Sequence, residues 1–70
     1  MSMAPTEVVL AGLDTLSDRQ RAALVLRYWL DWGDQEIADA MGCARSTVRV
    51  LAFRGLRSLR DYFETQGVSP

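Results

Sequence analysis

The sequence predicts an all-α fold, a small domain of four helices, on three observations. Apolar residues recur at helical spacing, capping signals mark the ends of the segments that carry them, and 70 residues leave room for only one core. The predicted order is short helix, long helix, short helix, tight turn, long helix.

In "APTEVVLAGL", Pro5 stands ahead of a short apolar stretch and Gly12 lies near its end, which predicts a brief helix of about two turns. "LDTL" then leads to Ser17. Ser17 followed by Gln20 has the spacing of a capping box, so a second helix should start at Asp18. Ala22, Val25, Leu26 and Trp29 fall at the i, i+3, i+4, i+7 spacing of a buried stripe. Leu24, Tyr28 and Leu30 widen that stripe, which makes this the central helix, enclosed by the others. "DWGD" breaks the pattern from Asp31 to Gly33. Gly33 or Asp34 can cap the third helix, and Gly33 is preferred: Glu36 then occupies the third helical position, where its carboxylate reaches back to free N–H groups. Trp32 and Ile37 would form a hydrophobic staple. This helix should end near Met41, with Ile37, Ala38 and Met41 facing inward. Gly42 in "GCA" is available for a left-handed turn, and a last helix runs from Arg45 to about Gln66, with Gly67 as its stop.

Composition bounds the function. An apolar share of 49% is that of a globular chain. There is no histidine, and the lone Cys43 makes neither an internal disulfide nor a metal site by itself. It reads as a small turn residue packing inward, with a redox switch as the rival. With no Gly-rich phosphate loop either, neither an enzyme nor a cofactor or metal site is expected. Glu36 and Asp39, three apart on a helix, read as solvated acids. No apolar run approaches the length of a spanning helix and the start lacks the pattern of a secretory signal, so no membrane is expected and the cytoplasm is the natural setting.

Charge is the informative quantity. The formal net charge is −1, yet residues 1–44 hold three arginines against seven acids, a balance of −4. Residues 45–70 hold five arginines against two acids, a balance of +3. Such a division is expected when one element meets phosphate and the rest stays soluble.

A short helix, a tight Gly-containing turn and a basic second helix make a helix-turn-helix, at about 34–60 in a single domain spanning 1–70. The first helix fixes the angle of the second, whose N-terminal residues meet base edges in the major groove. Ala38 is small enough for close crossing, and Val48 packs from the other side. On the last helix Val48, Ala52, Gly55 and Leu59 form the stripe facing the core, with Leu51 and Leu56 beside it. Ser46, Arg49, Val50, Phe53, Arg57 and Arg60 collect on the opposite face, and Arg45 sits in the first turn. An arginine fork suits guanine O6/N7 or a phosphate. Farther along, Arg54, Arg57 and Arg60 suit phosphate contacts or salt bridges, which position without specifying.

"LSDRQRAALVLRYWLDWGDQEIADAMGCARSTVRVLAFRGLRSLRDYF", residues 16–63, resembles region 4 of bacterial sigma-70-family factors, most closely the extracytoplasmic-function group, in a likeness that covers residues 13–63. "LSDRQRAALVLRYW" stands at a fixed distance from "EIADAMGC", followed by "STVR" and "RGLRSLR". The resemblance implies a four-helix domain that binds the promoter −35 element and touches the flap of the RNA polymerase β subunit during transcription initiation. It also implies that capture by an anti-sigma factor is common. The DNA-binding residues it points to are Arg45, Ser46, Thr47, Arg49, Val50, Phe53, Arg54 and Arg57. Two departures stand out. Ala44 occupies the cap position where the family usually has Ser or Pro, and Val50, Leu51 and Phe53 replace small or polar residues. Val50 and Phe53 would contact thymine methyls or cover a partner surface. Arg49 keeps a basic residue where the family has Thr-Val-Lys.

Two rival readings share this plan: the output domain of a response regulator, and a pure interaction module bound by an anti-sigma factor or another regulator. "LVLRYWLDWGDQEIA" and the long basic tail fit the sigma group better. Region 4 alone has no counterpart of the −10-binding region. The "MSMAP" start reads as that of an excised fragment of a longer factor or of a naturally truncated one.

Overall fold

The computed structural model describes residues 5–67, so that "MSMAP" lies outside it except for Pro5. Four helices follow in order: α1 (Pro5–Asp14), α2 (Asp18–Leu24, prolonged by a wider turn over Val25–Trp29), α3 (Asp34–Met41) and α4 (Arg45–Thr65).

Local chemistry sets most of the boundaries. The Ser17 hydroxyl accepts from the Gln20 N–H at 3.2 Å, which satisfies one of the free donors at the start of α2. At the start of α3 the Gly33 N–H donates to Glu36 Oε1 at 3.1 Å, as the preferred cap requires. Gly42 ends α3 with φ 67°, a left-handed conformation that costs glycine little, and the Cys43 N–H turns back to the Ala38 carbonyl at 3.0 Å. Ala44 leads into α4 with no side-chain hydrogen bond, and Gly67 at φ 75° follows its end.

Arg21 ties the α1–α2 linker down. Its Nε donates to the Leu13 carbonyl and its Nη2 to the Leu16 carbonyl, both at 3.1 Å. The Leu13 carbonyl, in the last turn of α1, also accepts from the Leu16 N–H at 3.1 Å, and the Leu16 carbonyl belongs to the linker itself.

The second half of α2 departs from the expected stripe. Ala23 and Leu24 are the buried residues, Ala22, Val25 and Leu26 are half-buried, and Tyr28, Trp29 and Leu30 are exposed. The cause is the wide turn. Leu30 N–H bonds to the Val25 carbonyl at 3.0 Å and Trp32 N–H to the Leu26 carbonyl at 2.9 Å, after which Asp31 takes φ 58°. The first of these bonds spans five residues and the second six; a turn closed this widely rotates less per residue than an α-helix, so its last side chains swing away from the core. Trp32 is likewise exposed, and the partly buried side chains packed on Ile37 and its cluster are Leu26, Met41 and Cys43.

Two clusters make the core. Leu13, Leu16, Leu24 and Leu59 join α1, α2 and α4, while Ile37, Ala38 and Val48 join α3 to the first turns of α4. The stripe Val48, Ala52, Gly55 and Leu59 is buried throughout, and Leu51 and Leu56 beside it are half-buried. Gly55 sits where α2 crosses α4: a Cβ there would lie 3.2 Å from the Gln20 carbonyl oxygen. Cys43 packs against the second cluster, as an inward-facing turn residue should.

Candidate nucleic-acid interface

Because the buried stripe of α4 fixes its rotation, the opposite face is fixed too. Arg45, Ser46, Arg49, Val50, Phe53, Arg54, Arg57 and Arg60 are exposed, while Thr47 is half-buried. Val50 is 47% and Phe53 62% exposed, too open for either to be core. Leu51, by contrast, sides with the core and leaves the outer face. The expected DNA-facing residues are thus brought to one face, apart from Thr47 at its edge. Over 45–60 that face carries five arginines and no acid.

Arg49 differs from the other four. Its Nε donates to Asp34 Oδ2 at 3.0 Å, and the other oxygen, Oδ1, accepts from Arg27 Nη1. Asp34 is the first residue of α3 and Arg27 lies in the last turn of α2, so one carboxylate joins three helices. It is only 20% exposed, whereas the Arg49 side chain is 67% exposed. The Arg27 guanidinium also lies 5.7 Å from the centre of the Tyr28 ring, over its face. Neither Asp34 nor Arg27 was expected at this interface from the sequence. Asp34 read only as an alternative cap, and its partner lies 15 positions away.

The hydrogen bonds from Arg49 and then Arg27 hold the Asp34 carboxyl below its ordinary 3.8. The same carboxylate holds the Arg27 guanidinium above its usual range. A carboxyl whose pKa is depressed in the folded state contributes stability that is present above the unfolded value and lost as pH falls through the folded one. The cluster should therefore stay intact from neutral pH down to about 5 and open only in stronger acid. A carbon-detected NMR titration of Asp34 checks this: the midpoint should lie under 3.8 and rise in both Arg49→Ala and Arg27→Ala. A midpoint that neither change moves would mean the pairs do not form in solution.

Away from α4, an open apolar groove of about 410 Å³ runs between α1 and the wide turn, lined chiefly by Val9, Leu10, Leu13, Val25, Trp29 and Leu30. Leu10 is 57%, Trp29 59% and Leu30 56% exposed. Among the described residues, no group of His, Cys, Asp and Glu could hold a metal ion, and no helix is long and apolar enough to cross a membrane.

Comparison with known proteins agrees with this geometry. The family model described as "Sigma-70, region 4" matches residues 6–59, which takes in α1 as well as the helix-turn-helix. The chain is 32% identical over 63 residues to an RNA polymerase sigma-E factor of Streptomyces antibioticus, covering 90% of this chain and 35% of that protein. It is 35% identical over 54 residues to an RNA polymerase sigma-E factor of Streptomyces avermitilis, with 77% and 30% covered. Against the ECF RNA polymerase sigma factor SigG of Mycobacterium tuberculosis it is 44% identical over 50 residues, with 71% and 14% covered. The chain spans about a third of the length of the sigma-E relatives and less of SigG.

Proposed function

The chain belongs to region 4 of the sigma-70 family, in its extracytoplasmic-function group, and on that premise we propose that it recognises the promoter −35 element and docks on the RNA polymerase β flap during transcription initiation. The observation that carries this reading is the outer face of α4, where five arginines flank Val50 and Phe53 on a helix packed against both α2 and α3. Residues 1–70 act as one domain, and the work takes place in the cytoplasm, where polymerase meets DNA.

The roles divide by chemistry. Arg45 and Arg49, in the first two turns, reach base edges, with Ser46 and Thr47 beside them. Arg54 and Arg57 hold phosphates and set the register. Val50 and Phe53 meet thymine methyls, the apolar feature of the major groove. The groove beside Leu10, Trp29 and Leu30 suits an amphipathic helix laid apolar face down, so it is our choice for the flap.

Few phosphates can be neutralised by one helix on an otherwise acidic domain. About three or four contacts give a log–log salt slope of roughly −3, with affinity for the isolated chain in about the micromolar range. Useful affinity should arise when polymerase holds the domain beside the promoter, through effective concentration. The test is binding to a randomised −35 duplex library, with and without the β flap, over a range of salt. Sequence enrichment that depends on the flap supports the reading. Nanomolar binding by the chain alone with a steep slope would mark an autonomous regulator, and no enrichment in either arm would overturn −35 recognition.

A further inference from the structure

A guanidinium has five N–H donors in a rigid plane, so the donor it commits inside the protein decides which edge it offers outside. Arg49 commits Nε, the donor nearest its stem, to Asp34 Oδ2. Among the described residues its two terminal nitrogens make no hydrogen bond, and they form the end of the fork on a side chain that is 67% exposed. Asp34 cannot turn freely to follow Arg49. Its other oxygen is held by Arg27, and the carboxylate stands at the N-terminal end of α3, where the helix dipole favours negative charge.

From this geometry we infer that Asp34 is a positioning residue for DNA recognition: clamped by Arg27, it presents Arg49 end-on, with both terminal nitrogens set for guanine O6 and N7. The inference rests on the −35 reading above and adds to it the base that Arg49 takes. An unsupported arginine on an exposed helix loses rotamer freedom when it binds and can turn as easily to a phosphate. A supported one has lost much of that freedom already and is aimed at the groove. Arg45, Arg54, Arg57 and Arg60 make no comparable ion pair among the described residues. The three charges of the cluster sum to +1, so support for Arg49 does not make the patch repel DNA.

Charge and positioning make opposite demands on an Asp34 substitution, which gives the test its discrimination. Asp34→Asn removes a negative charge close to DNA, so affinity for unrelated duplex should rise. Aim is lost at the same time, so preference for guanine should fall. A merely structural defect would lower both.

The probe is a duplex selected by the 70-residue chain from the randomised library, with the β flap present. The position at which Arg49→Ala loses its base preference is then rebuilt with 7-deazaguanine, which lacks only the N7 acceptor. Wild type should lose about fivefold on the deaza probe, as expected for half of a bidentate pair. Asp34→Asn should lose about twofold or less, while binding unrelated duplex at least as well as wild type and keeping the wild-type circular dichroism spectrum. Arg27→Ala, which frees one side of the clamp, should fall between them. An unchanged deaza penalty in Asp34→Asn overturns the inference and makes Asp34 a mask or a bystander. Uniform weakening of all sequences by Arg49→Ala, with no guanine position found, also overturns it but leaves −35 recognition standing. No sequence enrichment by wild type, with or without the flap, overturns both.

Discussion

Ile37→Ala is expected to leave most of the domain unfolded at physiological temperature. Ile37 is fully buried and is a central member of the cluster that joins α3 to α4 through Ala38 and Val48. Truncating such a side chain costs about 2–5 kcal/mol, part from lost transfer free energy and part from the cavity left behind. A core of this size supplies no more than about 3–5 kcal/mol in total. The loss and the whole stability are therefore comparable, and the folded fraction should collapse. Ile37→Val, which removes one methylene, should cost about 0.5–1.5 kcal/mol and keep a cooperative transition. Urea and thermal melts followed by circular dichroism distinguish the two. A melt of Ile37→Ala within about 1 kcal/mol of wild type would mean that α3 is not held to α4 through this residue. The result bears on function, because that cluster holds α3 against the first turns of α4, where the base-reading residues are proposed to lie.

Much of this arrangement is legible in the sequence because short-range chemistry decides it. Ser17, Gly33, Gly42 and Gly67 each act within about one turn of their own position, and all four take the places their residue types suggest. The phase of α4 follows from a regular period: Val48, Ala52, Gly55 and Leu59 are buried, so the exposure of Val50 and Phe53 follows from theirs. The second half of α2 is not legible in the same way. One bond closing at i+5 instead of i+4 shifts every later side chain, and nothing in "VLRYW" announces it. The choice is made where the chain must turn at Asp31 and enter α3, a tertiary requirement. Hence Trp29, placed in the core by its spacing, lines an open groove instead. The Asp34–Arg49 pair escapes for a related reason. Its two members meet only once α3 and α4 cross, and neither carries a local signal of the other.

Arg49→Ala should be the most damaging single change to recognition that leaves the fold intact. The cost to folding is small for a stated reason: Arg49 is largely exposed, and exposed ion pairs contribute about 0–1 kcal/mol. Removing it also does not orphan a charge, because Asp34 keeps Arg27. A change in DNA binding can then be read as a change at the interface. If Arg49 makes a bidentate base contact, the variant should lose about 1–3 kcal/mol on the selected element and relax its preference at one base pair. Arg57→Ala supplies the contrast. It lies two turns farther along the exposed face and has no ion-pair partner among the described residues; the role proposed for it is a phosphate contact. Its loss should weaken all sequences about equally and make the salt slope shallower by about 1, with base preferences unchanged. Measured side by side against the library, the two variants separate reading from holding. If both weaken every sequence alike, the arginines of α4 only grip the backbone, and sequence preference must come from Arg45 or from the methyl contacts of Val50 and Phe53.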